Sequence, residues 1–314
     1  MKLATRGSAL ALWQANHVAG LLRARDPGLN VEIVVVKTTG DVRQDVPLQA
    51  VAGKGVFVRE IEQALLAGAA DIAVHSCKDL QSEDPPGLTL AAFCERGDPR
   101  DCLVSPKYGT LDNLPQGALV GTGAPRRIAQ LLHRRPDLRF TEIRGNVDTR
   151  LAKLARGDCN ALVLAVAGLE RLNRAEVITE RLPFDISLPQ VGQACVAVQC
   201  RADDEETVSL VREACDDART RVAVTTERAF LALLGGGCTA PVAAHARDND
   251  DVFTFAALAA RRDGSAVVRA ERHLVLGDGS QLARTVFDDL LAQGARELLD
   301  AESLVTSDPP PAAD

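Results

Sequence analysis

The 314-residue chain is poor in aromatics: one Trp, one Tyr and eight Phe make up 3% of it. It has one Met and five His, and six of its 36 basic residues are lysine. No apolar run approaches the length of a membrane span. The eight cysteines show no zinc-type spacing, and no His stands near enough to complete a metal site, so no metal is expected. The start, Met1-Lys2-Leu3-Ala4-Thr5-Arg6, is charged too early for a secretory signal, so reduced thiols and a cytoplasmic setting are expected. A net charge of −7 argues against a general nucleic-acid or membrane-surface binder.

What is present is alternation. Lys2–Thr5 reads as a strand that runs through Arg6-Gly7-Ser8 into a helix bearing Leu10, Trp13, Val18, Leu21 and Leu22, with Ser8 as its N-cap. Arg6 is equally readable as an anion contact at a helix start or as a solvated turn residue. Val31–Val36 reads as a buried strand, 42–55 as a mobile loop, and Phe57, Ile61 and Leu65 mark a helix. Ile72–Val74 reads as another buried strand, which breaks into His75-Ser76-Cys77-Lys78-Asp79. Ligands bind at such strand ends in open α/β sheets. This β-α-β-α-β order predicts a parallel sheet packed with helices.

Gly97-Asp98-Pro99-Arg100 marks a domain crossing, after which the alternation repeats. Strand ends here carry glycine and arginine: Gly121-Thr122-Gly123-Ala124-Pro125-Arg126-Arg127, then Arg144-Gly145-Asn146, with Arg150 two turns into a helix. The Gly121-x-Gly123 pair lacks the third glycine of a dinucleotide fingerprint, and no Ser or Thr follows Lys54 as a phosphate loop requires. Arginines at parallel strand ends converge on one edge and suit a polyanion. A strand over 196–200 and an acidic helix from Asp203 to about Ala218 come next. A helix over 220–234 then breaks at Gly235-Gly236-Gly237-Cys238, where an unhindered thiol is a candidate for covalent chemistry. Strands over 252–258 and 267–276 and an amphipathic helix over 281–299 complete the pattern.

The ordered set Thr5-Arg6-x-Ser8, His75-Ser76-Cys77-Lys78-Asp79, Arg126-Arg127, Arg144-Gly145-Asn146-Val147 with Thr149-Arg150, Gly192-Gln193 and Gly236-Gly237-Cys238-x-x-Pro241 resembles the porphobilinogen deaminase (hydroxymethylbilane synthase) family from Lys2 to about Leu299. The resemblance implies an α/β fold of three domains. The first two would be like type II periplasmic-binding-protein lobes with mixed, mostly parallel sheets, and the third a small α+β domain. The expected boundaries are 1–97 with 194–217, then 98–193, then 218–302, with a disordered tail at 303–314.

It also implies a transferase of tetrapyrrole (haem) biosynthesis. Four porphobilinogen molecules are condensed on a dipyrromethane cofactor with loss of ammonia, and hydrolysis then frees hydroxymethylbilane. Cys238 would carry the cofactor by a thioether, and Asp79 would be the catalytic carboxylate. Lys78, Arg126, Arg127 and Ser8 would bind the cofactor, and Arg6, Arg144, Arg150, Arg171, Phe57 and Gln193 the substrate. The expected partner is the small-molecule substrate, with no nucleic acid or membrane, and the protein a monomer. Departures from the family pattern are Gln81 for a proline, Gly123-Ala124-Pro125 for a serine-rich run, Ala194 for a glycine, and Cys77, a second thiol beside Asp79. The rival readings are a two-lobed, non-enzymatic binding protein for small carboxylates, and a cysteine-dependent transferase that would need His245 as its base.

Overall fold

The computed structural model describes residues 1–38, 58–235, 241–249, 252–274 and 279–305. In the first lobe, β1 (Lys2–Thr5), α1 (Ala9–Arg25), β2 (Glu32–Val35), α2 (Arg59–Leu66), β3 (Ile72–Ser76) and β4 (Leu88–Phe93) follow in order. The chain then crosses to the second lobe: β5 (Asp101–Val104), β6 (Leu119–Gly121), α3 (Pro125–Arg134), β7 (Arg139–Thr141), α4 (Val147–Ala155), β8 (Ala161–Ala165), α5 (Val166–Arg171) and β9 (Glu180–Arg181). It returns through β10 (Val196–Arg201) and α6 (Glu205–Cys215) to the first lobe. The third unit is α7 (Ala218–Leu233), β11 (Val242–Asn249), β12 (Val252–Ala260), β13 (Val267–Leu274), α8 (Gly279–Ala292) and α9 (Ala295–Val305).

The strand orders are β2-β1-β3-β10-β4 and β7-β6-β8-β5-β9. Both lobes share one plan. Three strands are mutually parallel, and the fourth position is antiparallel and filled by a strand that adjoins a crossover, β10 in one lobe and β5 in the other. This is the expected pair of type II binding-protein lobes with mixed, mostly parallel sheets: four strands of each run one way, and only β10 or β5 runs against them. The first core forms where Val18 and Leu22 of α1 and Val211 of α6 pack on Leu3, Val74 and Val198. Ser8 caps α1 by accepting from Ala11 N–H at 3.2 Å, and Arg23 and Arg25 in its last turn suit the helix dipole. The second core joins Leu103, Val120 and Val163 to Leu131 of α3. In the third, Phe230 meets Phe255 edge-to-face at 5.7 Å, backed by Leu282 and Val286.

Several expectations change. The strand expected over 31–36 is the edge strand β2, and Glu32 and Val35 are exposed. An edge strand has a partner on one side only, which its apolar sequence does not reveal. The acidic helix is shorter, starting after Asp204, whose carboxylate accepts from Thr207 N–H at 3.1 Å. The helix over 281–299 is two helices, parted at Gly294, which takes φ +88. Helix α9 runs to Val305, so 303–305 are helical rather than tail, while 306–314 lie outside the described residues. The expected loop over 42–55 also lies outside them.

Candidate active site

A cleft of about 850 Å³ opens between the lobes. From the first lobe it is lined by Arg6, Lys37, Lys78 and Asp79, from the second by Arg126, Arg127, Arg144 and Arg150, and from α7 by Arg228. Among the described residues it holds eight cationic side chains against three carboxylates, Asp79, Glu142 and Asp148. The starts of α1, α3 and α4 reach the same wall, so their N-terminal dipoles add positive potential. The site therefore selects a ligand with several negative charges.

Each element presents its residue for a local reason. Strand β3 ends at Ser76, and a single 3-10 turn, Cys77–Asp79, swings Lys78 and Asp79 to the cleft. Asp79 is exposed there. Lys78 is half-exposed by area, but its ammonium lies deep: burial pushes its pKa down to about 8, with Asp79 pulling the other way and Arg127 and Arg126 adding to the fall. His75 faces inward, its Nε2 3.2 Å from Gln199 Oε1, and burial lowers its pKa to about 4, so it stays neutral. Asn146 caps α4 on Thr149 N–H at 2.8 Å, which places Arg150 at the end of the first turn, not two turns in. Arg150 Nε donates to Gly145 C=O at 2.9 Å, and Arg144 lies 3.5 Å from Glu142.

Arg126 and Arg127 are buried beneath the cleft on one carboxylate, Asp101 at the head of β5. Asp101 accepts from Arg126 Nη1 at 2.6 Å and Arg127 Nη2 at 2.6 Å. It also accepts from Ser187 Oγ at 2.8 Å and Gln193 Nε2 at 2.9 Å. Burial alone would raise its pKa, yet the two guanidiniums outweigh it and hold the carboxyl far below the usual range. Two cations on one anion leave a buried net positive charge, and Arg126 Nε has no hydrogen-bond partner among the described residues. A buried, unpaired donor of this kind is costly unless an anion answers it. The cleft thus fits a ligand that bears carboxylates.

Two residues stand elsewhere than the resemblance implied. Gln193 is fully buried and does not line the cleft. Its amide oxygen accepts from Arg126 at 3.2 Å and Lys78 at 3.4 Å, and its nitrogen donates to Asp101 and to Pro99 C=O. Arg171 turns to the crossover, donating to Ala194 C=O at 2.6 Å with its guanidinium 5.2 Å from the Trp13 ring. Both groups are spent on holding the lobes together. Phe57 and Cys238 lie outside the described residues. Sequence reasoning missed Lys37, though it too follows a strand, and missed Asp101 and Arg228, which carry no local signal. Arg228 donates to Gln81 C=O at 2.7 Å and Asp84 at 2.9 Å.

Among the described residues no group of three His, Cys, Asp or Glu could hold a metal ion, and no helix is long and apolar enough to cross a membrane. Fold and site together define a two-lobed α/β protein with a third α+β unit and an interlobe cleft made for a polyanion. Solved structures similar to it include the periplasmic VFT2 domain of BvgS from Bordetella pertussis, at 20% identity, 68% of this chain and 86% of that one, TM-score 0.41. Others are a putative methionine-binding lipoprotein from Bacillus subtilis (13%, 70% and 91%, TM-score 0.43) and the second substrate binding domain of a putative amino acid ABC transporter from Streptococcus pneumoniae (12%, 75% and 94%, TM-score 0.42).

Two family models match the chain itself: the porphobilinogen deaminase dipyromethane cofactor binding domain over residues 1–209, and the porphobilinogen deaminase C-terminal domain over 222–292. The chain belongs to the porphobilinogen deaminase family, and its cofactor is a dipyrromethane. Membership implies a transferase of tetrapyrrole biosynthesis that takes porphobilinogen as substrate.

Proposed function

We propose that the protein joins four porphobilinogen molecules head to tail, with loss of ammonia at each step, and releases hydroxymethylbilane. The observation that carries this reading is that one cleft unites Asp79 with cations from both lobes and α7. When bound, the dipyrromethane supplies the pyrrole carbon to which the first porphobilinogen is joined. Cys238 carries it by a thioether, and Lys78, Arg126 and Arg127 hold its carboxylates. Ser8 still has its O–H to donate, since as a cap it only accepts. Arg6, Arg144 and Arg150 grip the acetate and propionate of incoming substrate, and Phe57 packs beside it. Gln193 and Arg171 position rather than touch: one locks Lys78 and Arg126 in place, the other the crossover.

Each hydrogen bond to a charged group is worth roughly 1.5–3 kcal/mol, so a few arginines suffice to retain a growing acidic chain. Asp79 has a different task. Loss of ammonia and the carbon–carbon bond that follows both place positive charge on a pyrrole nitrogen. A fixed carboxylate stabilises that charge, and it can take the proton from the carbon that rearomatises and, once protonated, pass it to the next departing amine. The three units act as domains over 1–97 with 194–217, 98–193 and 218–302, in a cytoplasmic monomer. Intact mass of the purified protein, with an acid-aldehyde colour test, checks the core of this reading. The expected result is two linked pyrroles on Cys238; an active preparation with that thiol bare and alkylable would overturn it.

A further inference from the structure

Seven cysteines are described, all free and all buried. One of them, Cys77, lines the cleft, and Cys195 lies behind it. The antiparallel register of β3 and β10 pairs His75 with Ala197 and Ser76 with Val196. One step further it sets Cys77 opposite Cys195, and Cys77 N–H donates to Cys195 C=O at 3.0 Å. Opposed residues of an antiparallel pair have Cα atoms ~4.5 to ~5.5 Å apart. That lies inside the ~4.4–6.8 Å a disulfide spans. Opposed side chains share one face of the sheet; after burial, Cys77 is the strongest influence on the Cys195 thiol, whose Sγ donates to Val196 C=O at 3.4 Å and Cys94 C=O at 3.9 Å. Room for this contact is made by Gly192, since a Cβ there would come within 2.8 Å of Cys77 Sγ. Cys77 lines the cleft and begins the turn that carries Lys78 and Asp79.

We propose that Cys77 and Cys195 form a modification site, a dithiol that a peroxide-class oxidant entering the cleft closes to a disulfide, tying the Lys78–Asp79 turn to β10. Burial raises the Cys195 thiol well above its ordinary range, so reaction begins at Cys77, the thiol that faces the cleft. Cys77 sulfur, having given up its proton, attacks one peroxide oxygen and breaks the O–O bond. The departing oxygen leaves as water, and Cys77 becomes a sulfenic acid. Cys195 sulfur then displaces the hydroxyl as a second water, losing its own proton to it. Both sulfurs are oxidised by one electron each, and hydrogen peroxide is reduced to two waters. A ligand filling the cleft shields Cys77 and slows the reaction. A shift of ~1 Å in a catalytic group costs up to ~10²-fold in rate, so closure is expected to lower turnover by about tenfold or more.

The cross-link does not depend on the function proposed above; its effect on turnover does. Full-length holoprotein is treated with hydrogen peroxide, alkylated and mapped by peptide mass without reduction, and porphobilinogen consumption is measured before and after dithiothreitol. The expected result is a Cys77–Cys195 cross-linked peptide with a loss of turnover that dithiothreitol restores. Cys195→Ala should form no such link and keep its turnover under the same dose. Absence of the link, or equal loss of turnover in Cys195→Ala, overturns the proposal. A link in protein that consumes no porphobilinogen even untreated sinks the functional reading and leaves the modification site standing. Should Cys195→Ala not fold, wild-type protein is titrated with phenylarsine oxide, which bridges adjacent thiols with loss of water. Joint protection of Cys77 and Cys195 from alkylation supports the pair, and independent alkylation refutes it.

Discussion

Glu227 lies on α7, the helix whose chain leads on to Cys238, and it is fully buried. Its carboxylate accepts from Arg96 at 2.6 and 3.1 Å, from Gly192 N–H at 2.7 Å and from Ala246 N–H at 2.9 Å, and lies 3.1 Å from His245 Nδ1. One side chain thus pins the exit of β4, the crossover before β10, and the first strand of the third unit. Burial opposes its charge, but Arg96 and His245 prevail and bring its pKa from an ordinary 4.5 to about 2. That difference favours the folded state by roughly 3 kcal/mol at neutral pH. The folded pKa is the lower one, so the stabilisation is complete above ~4.5 and drains away as pH falls toward 2. Glu227→Gln should therefore cost ~3 kcal/mol at pH 7, a large part of the ~5–15 kcal/mol typical of a native protein. Urea unfolding followed by circular dichroism at stepped pH measures it. The gap between wild type and variant should narrow as pH drops from 5 to 3. A variant as stable as wild type at pH 7, or a deficit that stays constant down to pH 3, refutes the assignment.

Three further outcomes are expected. Lys78 holds its charge below about 8 and loses it above, so kcat/KM should fall on an alkaline limb near that pH; Lys78→Arg should abolish the limb, and an unchanged limb would count against Lys78 as the titrating group. Asp79→Asn should keep its bound pyrroles by intact mass yet lose ~10²–10⁴-fold in kcat, as loss of a charge-stabilising and proton-transferring group does; near-normal turnover refutes its role. Ala194 sits at φ +68, the left-handed region, where the family commonly has glycine; Ala194→Gly should relieve ~1 kcal/mol and raise the unfolding midpoint, and a lower midpoint would show that the strain is absent.

Much of the cleft could be read before any coordinates. Strands that run into polar and charged residues marked the ends of β1, β3, β6 and β7, and parallel pairing brings such ends to one edge. Arg6, Lys78, Asp79, Arg126, Arg127, Arg144 and Arg150 all reach the cleft for that reason. What such a pattern does not carry is the direction in which a side chain turns. Gln193 and Arg171 lie beside the cleft in sequence terms, yet nearby carbonyls and charges capture their polar atoms. Pattern misjudged β2, because apolar content does not say how many neighbours a strand has.

Local chemistry along the chain settled which segments are strands and helices, which residues cap them, and which side chains stand at strand ends. These depend on neighbours a few positions away. Only the folded molecule decided which charges meet. Asp101 beneath Arg126 and Arg127, Glu227 between Arg96 and His245, and Cys77 opposite Cys195 are pairings across 18 to 131 residues or between strands of one sheet. No periodicity encodes them, since burial sets their strength and burial belongs to the tertiary structure alone.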